Sequence, residues 1–276
     1  MSQLHDLIGK ETEMSQVGGA LRQFAQSLRA PVVGACQVTC SDEAEWECAE
    51  AFQRLCAAGL LPALKYDRRA PFRSVNLGGR YEWGAAGVAE QHFALPQTQR
   101  AFKLLVVKIN SHAGVRQGPQ GPEYGWLRRY NSESACCGAL AALLAGDPLP
   151  AAAELSETFA AGDRDRLPVL RDSQIVPPAH RALLAAMVNA RLQAECAVSD
   201  ICAGRPNTPT VFLVLPCVTI NRPGPDTELV VGQGGVDWTG QQPAVRYHGL
   251  GDDPAAYRLR HDRNRVQVED DRWPPP

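Results

Sequence analysis

The chain has 276 residues, of which 45% are hydrophobic and 21% charged, and its formal net charge is −2. A chain of this length can bury a substantial core, and so small a net charge excludes a strong global attraction to nucleic acid or anionic membranes. No apolar run approaches the roughly 20 residues that span a bilayer, and the N-terminal sequence lacks the basic and apolar regions of a signal peptide. We therefore expect a soluble cytoplasmic protein with neither a nucleic-acid nor a membrane partner.

The first hundred residues predict helices alternating with strands. Apolar residues recur at helical spacing near the start of the chain, and Asp42 followed by Glu45 resembles the capping box that begins a helix. The predicted elements are a helix over 2–29, a strand over 31–40, a helix over 42–59 and weaker strands near 72–77 and 87–94.

Two strongly apolar segments, near 102–110 and 209–221, predict the central strands of a mixed sheet. Residues 113–125 are rich in Gly and Pro and predict a long loop, and the Gly-rich residues 231–238 predict a turn. The other predicted elements are helices over 132–146, 150–161 and 178–203 and short strands at 227–233 and 244–250. The pattern indicates an α/β or α+β fold with helices packed on the sheet, in one globular domain over 1–250, followed by a charged C-terminal tail or arm over 251–276.

Polar residues gather on one face of each central strand, near its C-terminal end. Because side chains alternate along a strand, Lys108, Asn110 and His112 share a face. The second strand repeats the pattern with Thr219 and Asn221. In open α/β sheets ligands bind beyond the carboxyl ends of the strands, so we expect a small-molecule site there.

A cysteine–histidine pair is the first chemical hypothesis for this site. Cys136 and Cys137 fall at the start of the predicted 132–146 helix, where the helix N-terminus favours a thiolate. His112 is then the base, and Asn110 or Asn221 orients its ring. Neighbouring helical positions diverge by about 100°, so only one of the two thiols is expected to face the strand end. The predicted catalytic residues are Lys108, His112, Cys136 and Cys137.

Two other hypotheses use overlapping residues. The helix start can bind an anion through its free backbone N–H groups, with Lys108 as the counter-charge; the predicted binding residues are Asn110, Ser111, Ser132, Ser134 and Asn221. Alternatively, Glu90 and His92 on one strand face could join His112 in a two-histidine, one-carboxylate metal site. Such Glu/His pairs often arise by chance, so the sequence assigns no metal site and leaves the cofactor unknown.

The nine cysteines show neither CxxC pairs nor zinc-finger spacing, and we expect them to be reduced. Cys36, Cys48, Cys56 and Cys217 are expected to be buried in the core. The sequence as a whole predicts an enzyme acting on a small anionic or carbonyl-containing metabolite at the polar strand ends. The alternative is a non-catalytic protein that binds a ligand or assembles into a homo-oligomer.

Overall fold

The computed structural model describes residues 12–13, 33–45, 52–53, 56, 71–93, 103–129, 132–147, 149–162, 166–173, 176, 178–222 and 226–249. Of the predicted helix over 2–29, only Thr12–Glu13 are described, and they form a strand instead. Most of the predicted helix over 42–59, Cys48 and the tail over 251–276 lie outside the described residues.

The described strands form a nine-stranded mixed sheet and a separate two-stranded sheet. The strands of the large sheet are β1 (Thr12–Glu13), β2 (Val33–Cys40), β3 (Phe72–Asn76), β4 (Lys103–Gly118), β5 (Gly121–Tyr124), β8 (Thr210–Asn221), β9 (Thr227–Val230), β10 (Gly232–Asp237) and β11 (Ala244–Gly249). The hairpin of β6 (Trp126–Arg129) and β7 (Ser132–Ala135) forms the small sheet.

The strand order of the large sheet places the two apolar segments at its centre. The order is β1-β9-β8-β4-β2-β3; β10 also pairs with β8, β11 pairs with β10, and β5 pairs with β4. Strands β3, β2, β4 and β8 are parallel, whereas β9 and β10 run antiparallel to β8. The predicted mixed sheet with central strands near 102–110 and 209–221 is therefore confirmed. The C-terminal ends of its parallel strands lie along one side of the sheet, which we call the carboxyl edge.

Five α-helices are described: α1 (Ala85–His92), α2 (Gly138–Ala145), α3 (Pro150–Gly162), α4 (Arg166–Arg171) and α5 (Pro178–Ala203). One face of the sheet packs against α1 and α5, where Leu105, Val107 and Ile109 contact small residues such as Ala194 and Ala197. The start of α5 joins α2, α3 and α4 in a second core cluster at the carboxyl edge. Within the described residues, no helix has the length and apolar character that crossing a bilayer requires.

Two of the local predictions give the wrong type of secondary structure. Residues 85–92 form helix α1 instead of a strand, and Ala85, Ala86 and Ala89 are buried along one helical face. The predicted 132–146 helix begins only at Gly138, because 132–135 pair with β6 as strand β7.

Two predicted irregular segments are strands instead. The expected loop over 113–125 continues β4 to Gly118 and then turns back as β5. The Gly-rich segment over 231–238 contains β10, which lies between β8 and β11. Pairing with neighbouring strands satisfies the backbone groups of both segments, which outweighs the low strand propensity of glycine.

Candidate metal centre

His112 and Asn221 meet at the carboxyl edge, on the two central strands. His112 lies opposite Thr219 in the parallel β4–β8 register, and Asn221 lies two residues farther along β8. Both side chains are buried. The distance between His112 Nδ1 and Asn221 Oδ1 is 2.9 Å. Alternation along the strands places both on the same face of the sheet, as the sequence predicts.

Two cysteines from other elements approach the same histidine. Cys40 is the last residue of β2, and Cys137 is the residue immediately before α2. Their sulfur atoms lie 3.8 Å apart. One ligand atom from each of Cys40, His112 and Cys137 can be chosen so that all three lie within 4.8 Å of one another. All three side chains are buried. The cluster is therefore a compact set of two sulfur atoms and one nitrogen atom.

The turn over 77–79, which follows β3 and contains Gly78 and Gly79, contacts the sulfur atom of Cys40. The backbone N–H of Gly78 donates a hydrogen bond to Cys40 Sγ at 3.2 Å. Gly78 and Gly79 have φ angles of 69° and 68°, which L side chains rarely adopt. A Cβ atom at Gly79 would lie 2.0 Å from the carbonyl oxygen of Asn110. The close approach of this turn to β2 and β4 therefore requires glycine.

The two ring nitrogens of His112 have different surroundings. Nδ1 faces Asn221 Oδ1, lies 3.4 Å from Cys136 Sγ and lies 3.9 Å from Glu45 Oε1. Nε2 is buried and has no hydrogen-bond partner among the described residues. A buried nitrogen left without a partner is costly in a folded protein. A bound metal ion would satisfy it.

Hydrogen bonds and charges within the cluster move the pKa values of its members in opposite directions. The pKa of Cys40 is lowered, above all because the thiol of Cys137 donates a hydrogen bond to its sulfur. The same hydrogen bond and burial raise the pKa of Cys137. Burial by itself lowers the pKa of His112, but the Glu45 carboxylate and the surrounding thiols raise it well above its ordinary value. The cluster thus favours one thiolate beside a protonated imidazole, and a metal ion would displace the remaining protons.

A buried polar network lies beside the cluster on the same sheet face. Asn110 Nδ2 donates to Thr219 Oγ1 at 2.8 Å and also to Glu45. Glu45 accepts a further hydrogen bond from Thr39 at 3.0 Å. Lys108 lies two residues before Asn110 on β4, and its ammonium group forms an ion pair with Glu228. These contacts fix the sheet face next to the site without adding a metal ligand.

The donor set of Cys40, His112 and Cys137 fits zinc. Zinc binds thiolate and imidazole ligands, and catalytic sites with two cysteines and one histidine leave the fourth position open. A second group, formed by Asp42, His112 and Cys136, is equally compact. It is the poorer candidate, because the histidine nitrogen that faces Cys136 already contacts Asn221.

The structure separates the residues proposed from sequence into four groups. His112, Cys136, Cys137 and Asn221 come together, and both cysteines approach His112 because they precede α2 instead of lying within it. Lys108 and Asn110 share the sheet face but have other partners. Ser111 points to the opposite face, where it accepts a hydrogen bond from Asn189. Ser132 and Ser134 lie in β7 and not at a helix start, which removes the basis for their predicted role in binding an anion.

The metal site considered for Glu90, His92 and His112 does not form. Glu90 lies on α1 and accepts a hydrogen bond from Lys103, the first residue of β4. His92 stacks near Phe72, with ring centroids 5.2 Å apart. Lys103 and His112 are nine residues apart along one strand, which is about 30 Å.

Sequence reasoning missed Cys40, Asp42 and Glu45. The signal was present, because the segment over 31–40 reads as a strand that ends in Cys40. The C-terminal end of this strand, like those of the two central strands, is expected at the carboxyl edge, which places Cys40 beside His112. Asp42 and Glu45 follow directly, in a loop and a short 3-10 turn over 43–45.

No family model and no curated protein matches the chain. Among solved structures, PtLCIB4, a homolog of the limiting CO2-inducible protein LCIB, superposes with a TM-score of 0.57 at 13% identity, covering 90% of this chain and 98% of that chain. The limiting CO2-inducible protein LCIB itself gives 0.51 at 15% identity, covering 87% and 98%. A tetrameric beta-carbonic anhydrase from Sordaria macrospora reaches only 0.34 at 14% identity, covering 72% and 87%, which does not establish a common fold. The chain therefore shares the α/β fold of the LCIB structures.

Proposed function

We propose that this protein is a zinc-dependent enzyme that acts on a small carbonyl-containing or anionic molecule at the carboxyl edge of its sheet. The observation that carries the proposal is the buried cluster of Cys40, His112 and Cys137. Their ligand atoms come from three separate parts of the chain. When bound, zinc would supply Lewis acidity for activating a water molecule at neutral pH.

The protein's own residues would prepare this site in three ways. The Gly78 N–H stabilises negative charge on Cys40 sulfur. Asn221 orients the His112 ring. Asp42 is the half-buried carboxylate beside His112, so it is the group that we expect to face an entering substrate.

Carbon dioxide and bicarbonate are the first substrates to test. They belong to the carbonyl and anionic classes that the polar strand ends favour. The choice is further supported by the name of the limiting CO2-inducible protein LCIB, whose fold the chain shares. The proposed reaction is the reversible addition of water to CO2, which releases one proton and forms bicarbonate.

Zinc content tests the ligand set. We expect the purified protein to hold one zinc ion per chain, and Cys40→Ala to lose it. Cys36→Ala is the matched control, because Cys36 is also a buried cysteine of β2 but lies in the apolar core. Metal analysis by mass spectrometry measures all three proteins. Equal zinc in both variants would contradict the assignment of Cys40.

The adjacent cysteines distinguish the two possible ligand groups. Cys137→Ala should lose zinc, whereas Cys136→Ala should retain it, because only Cys137 belongs to the favoured set. The reverse result would assign the metal to the group of Asp42, His112 and Cys136. Far-ultraviolet circular dichroism of both variants checks that they are folded.

Stopped-flow measurement of CO2 hydration with a pH indicator tests the activity. We expect turnover in the zinc-loaded protein and at least a hundredfold loss in Cys40→Ala, since one removed ligand eliminates the metal. A zinc-loaded protein that hydrates CO2 no faster than buffer would overturn this substrate, and small aldehydes and esters would then be tested.

The structure gives less support to Cys136 as a nucleophile with His112 as its base. In such a triad, the cysteine and the orienting residue bind opposite ring nitrogens. Here Cys136 and Asn221 both face Nδ1. Asn221 therefore cannot orient the ring from the side opposite Cys136.

We further propose a cytoplasmic location and a single domain over 1–250 with an accessory charged arm over 251–276. All eight cysteines in the described part of the chain are free thiols, which suits a reducing compartment. Self-association stays a prediction as well. Native mass spectrometry of the full chain and of a chain shortened at 250 would report subunit number and the role of the arm together.

A further inference from the structure

We infer that Asn221 is a positioning residue that fixes the ring of His112 so that Nε2, and not Nδ1, is the metal ligand. This inference rests on the proposed zinc site. It concerns the hydrogen bonds around the histidine, which together leave only one arrangement of donors and acceptors.

The side-chain amide of Asn221 can lie in one orientation only. Its nitrogen, Nδ2, donates to the carbonyl oxygen of Ala44 at 2.9 Å and to Asp226 Oδ2 at 3.1 Å. A carbonyl and a carboxylate oxygen only accept hydrogen bonds, so exchanging the amide nitrogen and oxygen would place oxygen against oxygen. Asp226 is held in turn by the backbone N–H of Arg222, which donates to Oδ1 at 3.3 Å. The amide oxygen of Asn221 must therefore face His112.

An amide oxygen facing Nδ1 at 2.9 Å requires a proton on that nitrogen. The thiol of Cys136 donates to the same oxygen at 3.4 Å. The Asn221 oxygen is therefore the acceptor that lies at hydrogen-bond distance from Nδ1.

In a neutral imidazole with its proton on Nδ1, the free electron pair is on Nε2. Nε2 is the buried nitrogen that has no hydrogen-bond partner in the described part of the chain. The two observations are independent, and they select the same ligand atom. Asn221 therefore acts on the metal through His112, without touching the metal itself.

The measurable consequence is a change in zinc affinity. Removing a hydrogen-bond partner of a metal-bound histidine weakens metal binding by roughly 10- to 100-fold. Asn221→Leu removes the acceptor, keeps the branched shape and number of side-chain heavy atoms, and should show a loss in this range. Thr210→Val is the control, because Thr210 is also buried on β8 and also loses a hydrogen bond, but lies at the far end of the strand.

The experiment measures zinc affinity by competition with a chelating dye and identifies the ligand nitrogen by NMR. Protein labelled with 15N-histidine and loaded with 113Cd should show cadmium coupling to Nε2 of His112 in the wild type. In Asn221→Leu we expect weaker zinc binding and coupling that is lost or divided between the two nitrogens. Thr210→Val should match the wild type in both measurements.

The possible failures are distinguishable. If the wild-type protein binds zinc through Nδ1, or if Asn221→Leu equals the wild type in affinity and coupling, the role of Asn221 is overturned while the zinc site stands. If the wild-type protein binds neither zinc nor cadmium at His112, both the proposed function and this inference fail.

Discussion

Lys108 shows how a single residue can be functional in appearance and structural in its contacts. Its side chain is fully buried on β4, its ammonium group pairs with Glu228 on β9, and it lies 5.1 Å from the centre of the Phe52 ring. A buried ion pair contributes little net stability, but removing one partner leaves the other charge buried and uncompensated. The neighbouring cluster does not need Lys108 as a ligand.

We therefore predict that Lys108→Met lowers the free energy of unfolding by about 3–5 kcal/mol. The double variant Lys108→Met, Glu228→Gln should recover at least half of that loss, because it no longer buries an unpaired carboxylate. Urea unfolding of the wild type, both single variants and the double variant gives the four free energies of unfolding of a double-mutant cycle. Additive effects of the two substitutions would contradict the direct pairing.

At the scale of elements, the turn over 77–79 connects β3 to the metal centre. It passes so close to β4 that a Cβ at Gly79 would meet the backbone of Asn110. Asn189 of α5 donates to the carbonyl oxygen of Gly78 at 2.8 Å, so the long helix also holds the turn. Strand, turn and helix thus fix Cys40 together.

Gly79→Ala should destabilise the protein by about 3 kcal/mol, because its positive φ is unfavourable for alanine and the added carbon clashes with backbone. The zinc affinity of the folded protein should fall too, since the turn carries the N–H that faces Cys40. Gly87→Ala is the matched control: Gly87 lies within α1 with open space around its Cβ position. There alanine should stabilise by roughly 0.5–1 kcal/mol. Thermal unfolding and zinc titration of both variants measure these effects.

At the scale of the whole molecule, the sheet and α5 bury cysteines that are unlike those of the metal centre. Burial raises the pKa of Cys36 to about 12, and it raises the pKa of Cys202 to about 12 as well. In the unfolded chain a thiol ionises near pH 8.5. Between about pH 8.5 and 12, the thiol of Cys36 is ionised in the unfolded chain but stays protonated in the folded protein. The free energy of unfolding therefore falls as pH rises through this range.

Cys36→Ala should therefore reduce the alkaline loss of stability. Between pH 7.5 and 10, the wild type should lose about 2 kcal/mol more than the variant, which follows from a pKa near 8.5 in the unfolded chain and 12 in the folded protein. Urea unfolding at the two pH values measures both losses under reducing conditions. Equal losses in the two proteins would show that Cys36 ionises alike in the folded and unfolded states.

The sequence by itself determined the elements whose patterns are local. Apolar runs identified β4 and β8, and a proline at its entry with regular small and apolar residues identified α5. Period-2 alternation also placed Asn110 and His112 on one face. These features follow from spacing between nearby residues, which one segment reveals alone.

Only the tertiary structure decided which cysteines meet His112. Cys40 and Cys137 are 97 residues apart, yet their sulfur atoms lie 3.8 Å apart. This contact depends on the order of the parallel strands, on the turn over 77–79 and on where α2 begins, none of which leaves a local pattern around either cysteine. The helix start was misplaced because Ser132 and Ser134 have the composition of a helix cap, whereas pairing with β6 makes the segment a strand. Long-range pairing therefore set the site, because the atoms that form it are brought together by the sheet and not by the sequence between them.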